Sequence, residues 1–479
     1  MPWHPAISKL REDIDELSSA IDAQTAILQD LMTMRIDARK RLNFLLDPMA
    51  RLPLEIQSHI FLEACVDQPD NAPKSPPILF LSVCGLWRDI ALSTPKLWAK
   101  IQIDSTPRRS NYLELCKLWL ERARSLPLTL TLHGSLRLEE SLRELLAVYS
   151  PRLEGLTLCA SFKDFEEPPY MIWRREEGSL SSLKRLSIVP THTDPYYGNM
   201  HEWLDLFRDA PVLSHCTMTN IFMDHDSEEL DRYPLTLAFL ESLQLGEPHT
   251  ADTTDLARVS QKRSSVMILQ HLTLPALKVL TLSEFDISDD EFLAFLSRSS
   301  PPLESFEMTL PHLDQWLHPV ISRCFRLIAT LSTLDLFVLP GYAGEIELFL
   351  PFVEVLSSPE VLPNLRRVTF HTACPVTIDY DTLSTMLSRR FRSGATPLEH
   401  FELRFAEQQG RDHAEDLPGE EARAAMRGLV REGLRIYIGH RCNVQPGVGA
   451  SRSEQRRKVV LGFKDRPYTS RAICASDVV

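Results

Sequence analysis

The sequence predicts a multi-domain α+β chain: a leading amphipathic helix, a small three-helix body, then strand–helix units stacked into a solenoid with a parallel sheet. Three observations carry this. Residues 7–46 hold no Pro or Gly and space their apolar residues as a heptad seam. Two short apolar-faced segments follow, separated by a proline-rich stretch. From Asp104 onward one apolar phrase recurs roughly every 30 residues. The domains read as 1–46, 47–103, 104–440 and a poorly ordered tail, 441–479.

In the first segment Ile7, Leu10, Ile14, Leu17 and Ile21 are spaced 3-4-3-4. Leu28 and Leu31 continue the seam after Gln24, and Leu42 and Leu45 close it before Pro48. Such a helix has a narrow stripe that needs a partner. The stripe either packs on the chain's own body, pairs with a second copy as a coiled coil, or is left on a frayed helix.

After Asp47-Pro48 a helix begins near Pro53 and places Ile56, Ile60, Phe61 and Ala64 on one face. The prolines between Asp67 and Pro77 forbid helix there. A second helix is predicted over Leu79–Leu92, carrying Phe80, Val83, Cys84, Trp87, Ile90 and Ala91 at three-and-four spacing. Thr94 and Pro95 open a third, short helix with Leu97 and Trp98. Three short helices make a small core, and their surplus apolar residues suit a partner surface.

Leu52-Pro53-x-Glu55-Ile56, followed by Val83-Cys84-x-x-Trp87-Arg88-Asp89-Ile90-Ala91, resembles the F-box motif. The continuation Leu92-Ser93-Thr94-Pro95-Lys96-Leu97-Trp98 is similar to the version common in mushroom-forming fungi, which often carry a leading helix too. The resemblance implies binding to the Skp-type adaptor of a Skp–cullin–F-box ubiquitin ligase. It implies that Leu52, Pro53, Ile56 and Ile60 face the adaptor. It places Phe61, Val83, Cys84, Trp87, Ile90 and Trp98 in the F-box core. Gly85-Leu86 departs from the basic or polar residues usual before the Trp, and a helical Gly costs about 1 kcal/mol against Ala.

The recurring phrase is Leu-x-x-Φ-x-Φ, with Φ apolar. It runs from Leu153/Leu156/Leu158 and Leu183/Leu186/Ile188 to Leu365/Val368/Phe370 and Leu398/Phe401/Leu403. Leu128–Leu132 and Leu434–Ile438 read as strands before and after it. Pro151, Pro211, Pro275, Pro301 and Pro363 stop the preceding segment and force an extended entry. Helices are predicted between phrases, at 111–123, 139–149, 201–209, 289–298, 346–356, 380–391 and 420–431. The unit resembles an irregular leucine-rich repeat without its regular Asn. A doubly wound α/β domain would show the same alternation.

Alternate strand residues face the opposite way from the apolar ones. Arg185, His215, Gln244, Glu307, Asp335, Arg367, His371, His400, Glu402 and Arg404 therefore line the concave face of the solenoid. That face is either solvated sheet or a target-binding surface. Glu407–Glu421 reads as an acidic exposed loop, and Arg452, Arg456, Arg457 and Lys458 as a solvated tail or a short import signal.

A net charge of −13 argues against nucleic-acid binding. The nine cysteines are unclustered, which suits reduced thiols in an intracellular protein of cytoplasm or nucleus. No signal peptide or membrane span is read. No phosphate loop, nucleophile elbow or His-Glu-x-x-His is present, and with 17 glycines phosphate-cradling loops are disfavoured. No cofactor, metal or catalytic residue is expected; His312 and His318 read as surface residues. The expected function is a non-enzymatic substrate receptor that joins a target to the ligase. The alternative is a scaffold built on the N-terminal helix and the repeats, with no ligase.

Overall fold

A computed structural model describes residues 4–65, 76–104, 112–135, 140–161, 180–189, 196–219, 221–224, 234–246, 265–283, 289–310, 318–338, 349–372, 378–393, 396–405 and 418–440. His312, most of the acidic stretch and the whole tail lie outside them. The chain divides into two compact units, Met1–His133 and Gly134–Val479. The first takes in the helix Tyr112–Arg122 and most of the strand Leu128–Ser135, which the sequence reading groups with the repeats.

That unit starts with α1, His4–Leu46, one helix of 43 residues. Ile7, Leu10, Ile14, Leu17, Ile21, Leu28, Leu31, Leu42 and Leu45 are 51% to 67% exposed. Among the described residues nothing covers the stripe, which leaves the self-packing alternative without support there. Asp47 ends α1 and caps a 3₁₀ turn, Pro48–Arg51, by accepting the Met49 N–H at 2.9 Å. Next come α2 (Leu54–Glu63), α3 (Phe80–Val83), α4 (Gly85–Ser93) and a 3₁₀ turn at Pro95–Trp98. The strands β1 (Lys100–Asp104) and β2 (Leu128–Ser135) flank α5 (Tyr112–Arg122) and pair in parallel, Ile101 opposite Leu130.

The predicted helix over Leu79–Leu92 is two helices. Cys84 is extended, with φ −156° and ψ 173°, and Gly85 opens α4 as its first residue. Glycine there sits at a helix start rather than in a helix interior.

In the second unit the strands are β3 (Leu153–Ser161), β4 (Arg185–Ile188), β5 (Tyr196–Asn199), β6 (His215–Met218), β7 (Ile221–Asp224) and β8 (Leu235–Thr236). They continue as β9 (Ser242–Leu245), β10 (Leu272–Thr273), β11 (Val279–Leu282), β12 (Ser305–Leu310) and β13 (Thr333–Val338). The last are β14 (Arg367–Thr372), β15 (His400–Phe405) and β16 (Arg435–His440). The main sheet orders ten of them as β3-β4-β6-β9-β11-β12-β13-β14-β15-β16, every described pairing parallel. The order follows the chain and never turns back, unlike a doubly wound sheet. Short parallel pairs β5–β7 and β8–β10 lie outside it.

The first Φ of each phrase stands in one row across the sheet. Leu156, Leu186, Cys216, Leu243, Leu280, Phe306, Leu334, Val368 and Phe401 are partners in register, and none is more than 2% exposed. Helices α6 (Glu140–Tyr149), α7 (Met200–Asp209), α8 (Asp289–Ser299), α9 (His318–Leu327), α10 (Leu350–Leu356), α11 (Tyr380–Ser393) and α12 (Glu420–Glu432) bury one face each. Helix α9 is not among the helices expected from sequence. Its Ile321, Cys324 and Phe325 are buried at helical spacing.

The residue after the phrase's leucine links successive phrases through the backbone. Its N–H donates to the carbonyl of the same position one unit earlier: Lys184 to Glu154, Ser214 to Lys184, Glu241 to Ser214, Lys278 to Glu241, Glu304 to Lys278, Ser332 to Glu304. Arg366, Glu399 and Arg435 continue the series. The Ser214 and Ser332 hydroxyls donate again to Lys184 O and Glu304 O. Charged side chains alternate along the same row, with Lys184–Glu154 at 3.2 Å, Lys278–Glu241 at 3.0 Å and Arg366–Glu399 at 3.3 Å.

Candidate functional site

Two surfaces carry the residues singled out in the sequence. The first lies on the three-helix body. Phe61 and Phe80 stack with ring centroids 4.2 Å apart, and Trp87 lies against both, at 5.1 and 5.9 Å. The Trp87 indole N–H donates to Asp47 Oδ2 at 2.9 Å, so one carboxylate both caps the 3₁₀ turn and fixes the Trp. Trp98 is fully buried, donates to Ala91 O at 2.8 Å and meets Trp119 of α5 edge-on. Ile90 is also buried, and Cys84 and Trp87 are half-buried. Val83 departs from the expected core: it is 51% exposed, because the chain turns outward at Cys84.

Helix α2 sorts its residues differently from the sequence reading. Gln57 and Phe61, one turn apart, point inward. Ile56 and Ile60, also one turn apart, stand 47% and 41% exposed. Leu52, Pro53 and Leu54 are exposed before them. Gln57 had no assigned role, yet its amide donates to Met49 O at 2.7 Å and Leu52 O at 2.8 Å. It holds the Leu52–Pro53 segment in place, so the exposed apolar residues sit on a fixed backbone. A polar residue on the inward side of a short apolar helix was the available signal.

The second surface is the polar face of the main sheet. Registers gather the ten candidate residues into three rows. Arg185, His215, Arg367 and His400 share the first, with Arg185 paired to His215 and Arg367 to His400. Gln244, Glu307, Asp335 and Glu402 share the second, continued through Thr281 and Thr369. His371 and Arg404 share the third, beside Phe337. Arg185 and His215 thus lie several strands from the group at β12–β15.

That group is tightly coupled. Phe337 and His371 stack nearly parallel at 4.0 Å. Glu402 accepts from Arg404 Nε at 2.6 Å and lies 3.5 Å from His400 Nε2. Burial alone would raise the Glu402 carboxyl, but these two partners and their charges hold it down at about 2. Glu307 and Asp335 lie side by side and go the other way. Burial raises both, and each is raised further by a neighbouring carboxylate, although the Thr369 hydroxyl and Arg367 oppose the shift at Asp335. The face therefore presents unevenly compensated charge beside an aromatic platform, an arrangement suited to polar recognition.

Among the described residues, no group of three His, Cys, Asp or Glu is placed to hold a metal ion, and no helix is long and apolar enough to cross a membrane. His318 opens α9. Neither models of known protein families nor the curated proteins give a match to this chain.

Proposed function

We propose that the chain is a substrate-recognition adaptor of a Skp–cullin–F-box ubiquitin ligase. The observation that carries this reading is the pairing of a packed Phe61–Phe80–Trp87–Trp98 core with Leu52, Pro53, Ile56 and Ile60 left in solvent on a pinned backbone. A body this small has no reason of its own to expose those residues, whereas an apolar partner surface would cover them. In this reading the ordered parallel strands form a leucine-rich-repeat solenoid, and its polar face around Asp335, His371 and Glu402 holds the target. The chain contributes proximity rather than a reaction of its own. It works inside the cell, where the ligase works.

Capture of the cognate Skp-type adaptor tests this. The wild-type chain retains the adaptor, and Leu52→Ala/Pro53→Ala or Ile56→Asp reduces retention at least tenfold. Equal capture by wild type and variants, or none by wild type, defeats the proposal. The exposed stripe of α1 favours a second reading, a scaffold assembled through that helix without a ligase. A chain that binds adaptor while monomeric removes it.

A further inference from the structure

Helix α1 has the composition of one strand of a pair. Taking Ile7 as heptad position a, the a series runs Ile7, Ile14, Ile21, Leu28, Arg35, Leu42. The d series runs Leu10, Leu17, Gln24, Leu31, Ala38, Leu45. Apolar residues sustained at a and d over most of the helix form a coiled-coil seam, and this one is left in solvent along its length. At about 1.5 Å per residue the helix is roughly 65 Å long, enough for a seam of six heptads.

Two features decide the direction of pairing. The charges are segregated about residue 26: Glu12, Asp13, Asp15, Glu16 and Asp22 outweigh Lys9 and Arg11 in the first half, while Arg35, Arg39, Lys40 and Arg41 outweigh Asp30 and Asp37 in the second. A parallel pair lays acidic on acidic and basic on basic. An antiparallel pair lays the net-acidic half against the net-basic half, although Asp15 falls level with Asp37 and Asp22 with Asp30 on the outer faces. The second feature is Arg35, which occupies a core position. In a parallel pair it faces its own copy, two guanidiniums in one layer.

Antiparallel alignment about the Gln24–Leu28 layer removes that clash. Arg35 then meets Leu17 of the second copy, where its stem packs and its head reaches water. Ile7 meets Leu45, Leu10 meets Leu42, Ile14 meets Ala38 and Ile21 meets Leu31, so the remaining layers are apolar. Asp13 flanks Arg41 of the other copy. Arg11 flanks Arg39, so orientation rests on the core layers and the segregated halves rather than on every pair.

We propose that the protein is a homodimer through α1, paired antiparallel with a second copy. The ends that lead into the two three-helix bodies then lie about 60 Å apart along the pair, given 1.5 Å of rise per residue. This does not depend on adaptor binding.

Sedimentation of the full chain at micromolar concentration measures the state: twice the monomer mass is expected for wild type and monomer mass for Leu17→Asp/Ile21→Asp. Thermal unfolding of that variant should match wild type in its main transition, showing that the sheet is intact. Orientation is read by mild oxidation against a wild-type control. Ile7→Cys alone and Leu45→Cys alone should give no new covalent dimer, and their mixture should give one. A monomeric wild type, a dimer that survives Leu17→Asp/Ile21→Asp, or crosslinking of Ile7→Cys to itself each overturns the proposal.

Discussion

Arg390 of α11 is 4% exposed, and the partners that hold it are main-chain carbonyls. Its guanidinium donates to Leu356 O, Ser358 O, Val361 O and Leu362 O, where α10 ends. Burial lowers its pKa to about 10, so it stays charged at neutral pH and answers the negative end of α10. Arg298 of α8 does the same for Leu269 O, Gln270 O and Leu272 O. Arg390→Met leaves several buried acceptors unpaired and should cost about 2–4 kcal/mol in denaturant unfolding. Arg390→Lys should recover little of that, since an ammonium cannot span the fork. The carboxylates on the sheet face give opposite signs. Glu402 has a folded pKa near 2, below the roughly 4.3 of an unfolded Glu, so it stabilises above that range and its contribution is lost as pH falls towards 2. The Tm advantage of wild type over Glu402→Gln should be full at pH 6 and shrink below pH about 4. Asp335 is raised, so its ionisation opposes folding. Asp335→Asn should raise Tm at pH 7, and the gain should fade below pH about 4, where the unfolded carboxyl is protonated too.

Individual elements differ in how far the sequence revealed them. Strands of the main sheet were legible because each phrase repeats a two-residue alternation bounded by a turn, and burial then enforces that alternation in register. The helices on either side of the phrases were legible from their apolar faces, to within a residue or two at most ends. The kink between α3 and α4 was not, because the apolar spacing runs straight through Cys84 and only the backbone turns. Helix α9 was not expected, although proline, here Pro319, is tolerated in a first turn. Ile56 and Ile60 stand exposed, while Val83, expected in the core, was misplaced by the same unbroken spacing. The kink moves Gly85 from the helix interior expected from sequence to the first residue of α4, where it still costs stability against Ala. A Cβ there meets nothing within 4 Å, so Gly85→Ala should stabilise by about 0.5–1 kcal/mol. Cys84 caps α4 with no side-chain hydrogen bond, and Cys84→Ser should add about 0.5–1 kcal/mol. Chemical denaturation of the two variants, alone and together, measures both.

At the scale of the molecule, a sheet ordered as the chain is ordered couples each strand mainly to its neighbours. Stability should then be graded along it. Amide exchange should be slowest in β11–β14 and fastest in β16, the terminal strand, where residues 436–439 are only half-buried. Uniform protection from β3 to β16 would count against that. The backbone ladder from Glu154 to Arg435 has a further consequence. It ties each unit to the last through one position of the phrase, whatever length of chain lies between. More residues separate β9 from β11 than separate β11 from β12, yet both steps keep the same register. Evolution can therefore lengthen or shorten the intervals, or duplicate a whole unit, without disturbing the alignment of those already in place, and the polar face can be rewritten one strand at a time.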